Sequence, residues 1–404
     1  GGSVSAAITL YKQLEREFPS DRAVPRVVAR RAQIYMRLAW YDEAADDLET
    51  YATKWAAEKD AYDALEEAIS LRAALGDDDA VAKDVARWVK LFGARKPQEA
   101  ARAELMLAYR TRERGKPDEA MEAFRTWIKR HGGRADRPQL VAAYAAIGEL
   151  AWDASCKVKG TAKGALCLAP SRTASAPRCG KPPLVAVARD AALAREAQKA
   201  FQTAIRAAES SHDEYALLAA AKARLYLVDA KVEVGMTQEL KASAVDASGH
   251  MTPASQKELM AWFDAWQAQL GQAVRGYEEL LRQNNVRVAV LASARIAWLQ
   301  QHAADTVASA PLPAWKKPER EELRTAYCDA LGQHAEVLNT RAKETADVCL
   351  KVGGDVGVIE ETAPCVAVFD RHNPGAAGAG ERLPAAAWPR VRDVEPAIRY
   401  RVTP

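Results

Sequence analysis

Five segments place a small or β-branched residue, a second residue four positions on and a third seven on. They are Ala7/Tyr11/Leu14, Ala44/Leu48/Tyr51, Val81/Val85/Trp88, Ala120/Phe124/Trp127 and Ala197/Phe201/Ala204. That spacing keeps the three side chains on one face of an α-helix. The first four segments begin 37, 37 and 39 residues apart, and the fifth follows after 77, close to two further periods. A helical hairpin with its turns needs about that length and cannot bury its apolar face alone, so the spacing predicts hairpins stacked in a row.

The breaks between apolar stretches agree with this. Pro19-Ser20-Asp21 ends the opening helix, and Pro25 starts the next at a position where its missing N–H does no harm. That helix carries Val28, Ala32, Tyr35 and Leu38 on one stripe. Turns follow at Trp40-Tyr41-Asp42-Glu43, Gly76-Asp77-Asp78-Asp79 and Gly115-Lys116-Pro117-Asp118, rich in residues that stop one helix and cap another. Tyr51, Trp88 and Trp127 occupy matched positions, where a large ring wedges between successive hairpins.

Farther along the period blurs. Residues 138–156 read as another first helix. Residues 157–183, with four prolines, three glycines and two of the cysteines, read as an extended inserted loop that fits neither helix nor ladder. The array resumes at Leu184. Longer helices are predicted over 213–235, from 253 to about 282 with Leu259, Trp262, Phe263, Trp266 and Leu270 buried, over 286–308, and from 319 to about 351. From Gly353 the chain reads as a weakly structured tail, and the alternation Ile398-Arg399-Tyr400-Arg401-Val402 suggests one strand. The expected divisions are 3–155 (repeats), 156–183 (insertion), 184–309 (continued solenoid), 310–352 (C-terminal helical region) and 353–404 (tail).

Residues 3–135 resemble the tetratricopeptide repeat. Ala32 and Tyr35 match the small-then-aromatic pair before the turn, Ala44 and Leu48 the next two positions, and Ala7, Tyr11 and Pro19 the second-helix signature. Leu107, Ala108, Ala120 and Phe124 repeat the pattern. Arg31 departs from it, standing where the family has an apolar residue, and Tyr51, Trp88 and Trp127 replace small ones. The resemblance implies an all-α, right-handed superhelical stack of helical hairpins that binds proteins or peptide segments. By composition alone the chain is also similar to large envelope repeat proteins of GC-rich proteobacteria, some of them involved in gliding motility.

Charge narrows the function classes. The 57 basic residues are interspersed with 54 acidic ones for a net charge of +3, without the concentrated stripe that specific nucleic-acid binding needs. No apolar run reaches the length of a membrane span. Gly1-Gly2 leads directly into an amphipathic helix, which suggests that a natural N-terminus with its targeting signal precedes this segment.

The six cysteines fall in two groups, Cys156, Cys167 and Cys179, then Cys328, Cys349 and Cys365. Local disulfides in an oxidising compartment suit this distribution, and a periplasmic or outer-membrane-associated location is expected. Two triads cannot pair internally without a remainder, so either the groups are bridged or free thiols remain. A Cys167–Cys179 bridge would tie the insertion, which is expected either to project from the array as a flap or to cover the seam between its two halves. Cys328 and Cys349, about 31 Å apart on an unbroken helix, cannot pair.

Catalytic chemistry is not legible. The six histidines show no metal spacing, and there is no phosphate-binding loop, G-x-S-x-G or H-E-x-x-H. No cofactor and no enzymatic activity are expected. Polar positions facing away from the packing stripe, Arg30, Gln33, Arg37, Glu104 and Arg110, are the candidate protein-binding residues, with Arg172 and Arg178 on the insertion. Two other readings stand beside this one: a purely structural spacer segment of a larger envelope protein, and a peptidoglycan- or carbohydrate-binding or processing protein in which Trp262, Trp266 and Trp298 stack on sugars.

Overall fold

A computed structural model describes residues 3–171, 177–236, 240–246, 248–283, 285–315, 321–358 and 360–373. The fold is all-α, apart from one short ladder, and is built from consecutive helix pairs. The chain forms two compact units whose described residues are 3–139 and 140–373.

The first unit contains α1 (Ser3–Glu17), α2 (Val24–Arg37), α3 (Tyr41–Lys54), α4 (Ala61–Leu75), α5 (Asp78–Phe92), α6 (Pro97–Glu113) and α7 (Pro117–His131). Each helix packs on the next. One core joins Val24 and Val28 of α2, Leu48 and Tyr51 of α3, Leu65 and Ile69 of α4, and Val85, Trp88 and Phe92 of α5. The matched aromatic residues are buried, at 5% exposure for Tyr51, 1% for Trp88 and 3% for Trp127. Their polar atoms are satisfied in a periodic way. The Trp88 indole donates to the Tyr62 carbonyl at 3.3 Å, and the Trp127 indole to the Ala101 carbonyl at 2.6 Å, each reaching 26 residues back. The Tyr51 hydroxyl, lacking that reach, donates to Asp60 at 2.5 Å.

The turns repeat as well. Ala39, Gly76 and Gly115 close equivalent helices in the left-handed region, with φ of 57°, 79° and 76°. Glycine takes that conformation without Cβ strain. Ala39 takes it with strain.

The second unit contains α8 (Arg137–Ser155, from Leu140 on), β1 (Leu168–Pro170), β2 (Leu184–Ala186), α9 (Ala191–Ala208), α10 (Glu214–Gly235), α11 (Pro253–Leu281), α12 (Val286–Ala308), α13 (Glu321–Asp355) and α14 (Ala363–His372). Asp190, Asp213, Thr252 and Asn285 cap the helices that follow them, accepting from first-turn N–H groups. Gly148 lets the buried Phe201 ring lie against α8, where a Cβ would collide with it. Phe201 in turn stacks on Tyr226, centroids 4.9 Å apart.

Four expectations are corrected here. The insertion does take part in a ladder: its β1 pairs antiparallel with β2, which follows the insertion directly, Leu168 opposite Ala186 and Pro170 opposite Leu184. It also packs into the unit rather than projecting from it. Leu166 and Cys167 are buried, and Leu166 belongs to the core formed by α10, α11 and α12. Gly353 does not start an irregular tail: α13 continues to Asp355, and α14 packs back on α12 and α13. The fourth concerns α11, whose Leu259, Trp262, Phe263, Trp266 and Leu270 are only half-buried; its buried residues are Ser255, Tyr277 and Leu280. The strand suggested at Ile398–Val402 lies outside the described residues.

Candidate functional site

Arginine–carboxylate pairs fix the helices of the first unit. Arg31 is 5% exposed; its guanidinium donates to both Asp47 oxygens at 2.7 and 2.6 Å and to Glu15 at 2.9 Å, joining α2, α3 and α1. The bonds to Asp47 hold the guanidinium firmly charged. Arg72 of α4 gathers Asp42, Asp46 and Glu49 of α3, and Arg87 passes the network on to Asp84 of α5 at 2.5 Å. Burial, with Glu49 nearby, pushes the Asp84 carboxyl up to about 7.

Two candidate binding residues belong to this frame. Arg110 donates to Asp78 of α5 through Nε at 2.6 Å. Glu104 accepts from Arg130 of α7 at 2.6 Å and also contacts His131. Both hold neighbouring helices together, so they are engaged before any partner arrives.

The other three sit together on one exposed face. Arg30, Gln33 and Arg37 of α2 are exposed, and so are Arg22 just before the helix and Arg26 within it. Positions 22, 26, 30, 33 and 37 follow helical spacing, so four guanidinium groups and one carboxamide form a stripe. Arg30 donates to Gln33 at 3.3 Å. None of the four arginines has an ion-pair partner among the described residues, unlike Arg31 behind them. The sequence singled out Arg30, Gln33 and Arg37 but neither Arg22 nor Arg26. The signal that extends the stripe is the run of arginines every four residues.

A shallow groove follows between α4 and α6, lined by Glu66, Ile69, Trp88, Glu99, Arg102, Ala103 and Met106, with a volume of about 40 Å³. It is large enough for a water molecule and too small for a ligand. Burial, reinforced by Asp63 and Glu99, pushes the Glu66 carboxyl up to about 7.

In the second unit, every cysteine is paired. The bridges are Cys156–Cys167, Cys179–Cys328 and Cys349–Cys365. The expected Cys167–Cys179 bridge is not formed. Cys167 lies beside the end of α8, where Cys156 reaches it. Cys179 is drawn to the chain after α12, its N–H donating to the Ala310 carbonyl at 3.2 Å, and so faces α13. Cys328 and Cys349, on one unbroken helix, take separate partners.

Two half-buried arginines pin the insertion. Arg189 pairs with Glu233 at 2.6 Å, lies 3.5 Å over the Trp152 ring and donates to the Trp152 and Ala165 carbonyls. Glu233 also accepts from the Cys167 N–H at 2.7 Å. Arg295 pairs with the fully buried Asp229 at 3.1 Å and donates to the Gly164 carbonyl at 2.6 Å. Arg178 donates to the Ser309 carbonyl at 3.3 Å and is part of this packing rather than a displayed side chain. Arg172 lies outside the described residues.

The three tryptophans proposed for sugar stacking are half-buried. Trp262 and Trp266 stack on each other at 5.6 Å, and Trp298 stacks on His302 at 5.1 Å, so each of the three has one face already covered. Among the described residues no group of three or more His, Cys, Asp or Glu is placed to hold a metal ion. No described helix is long and apolar enough to cross a membrane.

No protein-family model and no curated protein matches this chain. Among solved structures, it is similar to the C-terminal part of a TPR repeat-containing protein from Cytophaga hutchinsonii, at 16% identity and a TM-score of 0.35, over 85% of this chain and 93% of that one. It is also similar to a circular tandem repeat protein with a novel repeat topology, at 12% identity and a TM-score of 0.21, over 91% and 87%. Scores this low leave the fold assignment to the helix pairs themselves. They form an all-α repeat fold that loosely resembles tetratricopeptide-repeat proteins.

Proposed function

We propose that this chain is a protein-interaction scaffold that holds an acidic segment of a partner along α2. The observation behind this is the stripe of Arg22, Arg26, Arg30, Gln33 and Arg37, exposed and without ion-pair partners among the described residues, in contrast to Arg31, Arg72 and Arg110, which are engaged between helices. A rigid frame keeps the stripe straight, so a partner meets it without first ordering it. Helix-pair repeats use such faces for extended segments.

Complete pairing of six cysteines supports an oxidising compartment, and we propose a periplasmic or outer-membrane-associated location for the scaffold. Mass analysis of alkylated protein with and without reductant is the check: six thiols alkylated without reductant would remove the basis for this location.

The binding reading is tested with a fluorescein-labelled peptide of alternating glutamate and serine, followed by anisotropy. Exposed charge pairs contribute up to about 1 kcal/mol each. Arg30→Glu with Arg37→Glu removes two attractions and adds two repulsions, so binding should weaken at least about tenfold. Unchanged affinity would take the stripe out of the site.

A further inference from the structure

The three disulfides of the second unit sit in different surroundings. Cys349–Cys365 joins residues 16 apart inside the core of α12, α13 and α14, and both cysteines are buried. Cys156–Cys167 joins residues 11 apart; Cys167 is buried, with its N–H held by Glu233. In both cases a short loop and the packing around it keep the two sulfurs together whether or not they are bonded. Cys179–Cys328 spans 149 residues, and both of its cysteines are only half-buried.

The two ends of that third bridge are held unequally. Cys179 lies on a segment fixed to the chain after α12: its N–H donates to the Ala310 carbonyl at 3.2 Å, the Leu312 N–H donates to the Pro177 carbonyl at 2.7 Å, and Arg178 donates to the Ser309 carbonyl at 3.3 Å. Cys328 lies in the first part of α13, where no residue from Glu321 to His334 is buried; Ala335 is the first that is. That stretch makes about four turns. Its other ties are shallow. The Tyr327 hydroxyl lies 3.5 Å from the Pro311 carbonyl, too far for a firm hydrogen bond, and its ring meets Trp315 edge to face at 5.9 Å. Leu331, half-buried, rests on Phe263, Trp266, Ala304 and Val307. Farther along, Ala342, Ala346 and Cys349 anchor the helix in a core. The bridge therefore does most of the work of pinning the start of α13.

We propose that Cys179–Cys328 is a reducible clip: a dithiol opens it while the other two bridges stay closed, and the first turns of α13 then lift away, baring the apolar cluster of Phe263, Trp266 and Val307. The step is thiol–disulfide exchange. A thiolate of the dithiol attacks one sulfur of the bridge, forming a mixed disulfide and expelling the other cysteine as a thiolate, which takes up a proton. The second thiol of the reagent displaces the remaining cysteine. Two electrons have passed to the bridge, the reagent leaves as a disulfide, and both cysteines end as thiols. Exposed bridges are the labile ones. Here the freed thiols also part instead of closing again, because a segment with so few buried contacts opens at little cost. The clip involves no residue of α2 and stands apart from the scaffold reading.

The experiment titrates the full, oxidised chain with dithiothreitol, quenches with N-ethylmaleimide and reads each cysteine by peptide mass. Cys179 and Cys328 should become alkylated at a dithiothreitol concentration about tenfold lower than Cys167, Cys349 and Cys365 require. Hydrogen exchange is then measured where only that pair is open. Amides over residues 325–334 should exchange several-fold faster than in the oxidised chain, while those over 342–353 stay protected. Cys179→Ser/Cys328→Ser should show the same fast exchange without reductant and with its other two bridges intact. Should that variant fail to fold, the titrated wild-type chain still gives the readout. Reduction of all three bridges together would overturn the clip, and so would equal protection of residues 325–334 before and after the pair is opened.

Discussion

Ala39 is an alanine where the two equivalent turns have glycine, and it pays the Cβ strain of the left-handed region at φ 57°. Replacing it should stabilise the first unit: Ala39→Gly gains by relieving strain of about 1–2 kcal/mol, less the entropy glycine loses on folding. Gly76→Ala should cost about 1 kcal/mol, since Gly76 sits at φ 79°. Thermal melts of the two variants should move in opposite directions, and parallel shifts would refute the turn equivalence. Gly148→Ala drives a methyl into the Phe201 ring and should cost about 1–3 kcal/mol, read by denaturant titration. Glu66 gives a pH signature. Its folded-state pKa of about 7 lies above the ordinary 4.5, so between those values the folded chain keeps a proton the unfolded chain has released. The stability this contributes is full below pH 4.5 and disappears as pH rises through 7; Asp84 acts in the same direction. Glu66→Gln should therefore flatten the fall in melting temperature between pH 5 and 8. An unchanged slope would mean that Glu66 titrates normally.

At the scale of elements, helix bounds were legible wherever punctuation and periodicity agreed. The span predicted for α12, 286–308, coincides with Val286–Ala308, because Asn285 caps its start and the apolar stripe runs without a break. The insertion was misread because its stabilising partners are remote in sequence. Arg189 reaches Glu233 across 44 residues, and Arg295 reaches Gly164 across 131. No local pattern announces such contacts. Gly353 misled in a different way. It looks like a helix breaker, yet it stays helical and buried because the Thr362 methyl occupies the space a side chain would take. The stripe on α2 was partly legible, but which arginines were already paired depended on tertiary packing. A buried pair lost on one side leaves an unpaired charge, so Arg189→Ala should destabilise the second unit by about 3–5 kcal/mol, and Arg189→Met by less where its stem still covers Trp152. Deleting residues 160–181 removes Cys167 and Cys179 with their bridges, together with the buried Leu166. At about 2–4 kcal/mol per disulfide, a large fall in melting temperature is expected. A preserved melting temperature would restore the view of a projecting loop.

At the scale of the whole molecule, arginine–carboxylate pairs hold helices together in both units, and the α2 stripe is exposed and without ion-pair partners among the described residues. That pattern suits binding better than chemistry, because an exposed, preorganised charge stripe recognises a partner without a reaction centre. The most direct measurement is arginine footprinting with phenylglyoxal, read by peptide mass, with the chain free and saturated with the acidic peptide. The account predicts that Arg30 and Arg37 react readily in the free chain and become several-fold protected in the complex, while Arg31, locked to Asp47 and Glu15, stays slow in both. Equal reactivity of Arg30 and Arg37 with and without bound peptide would contradict it.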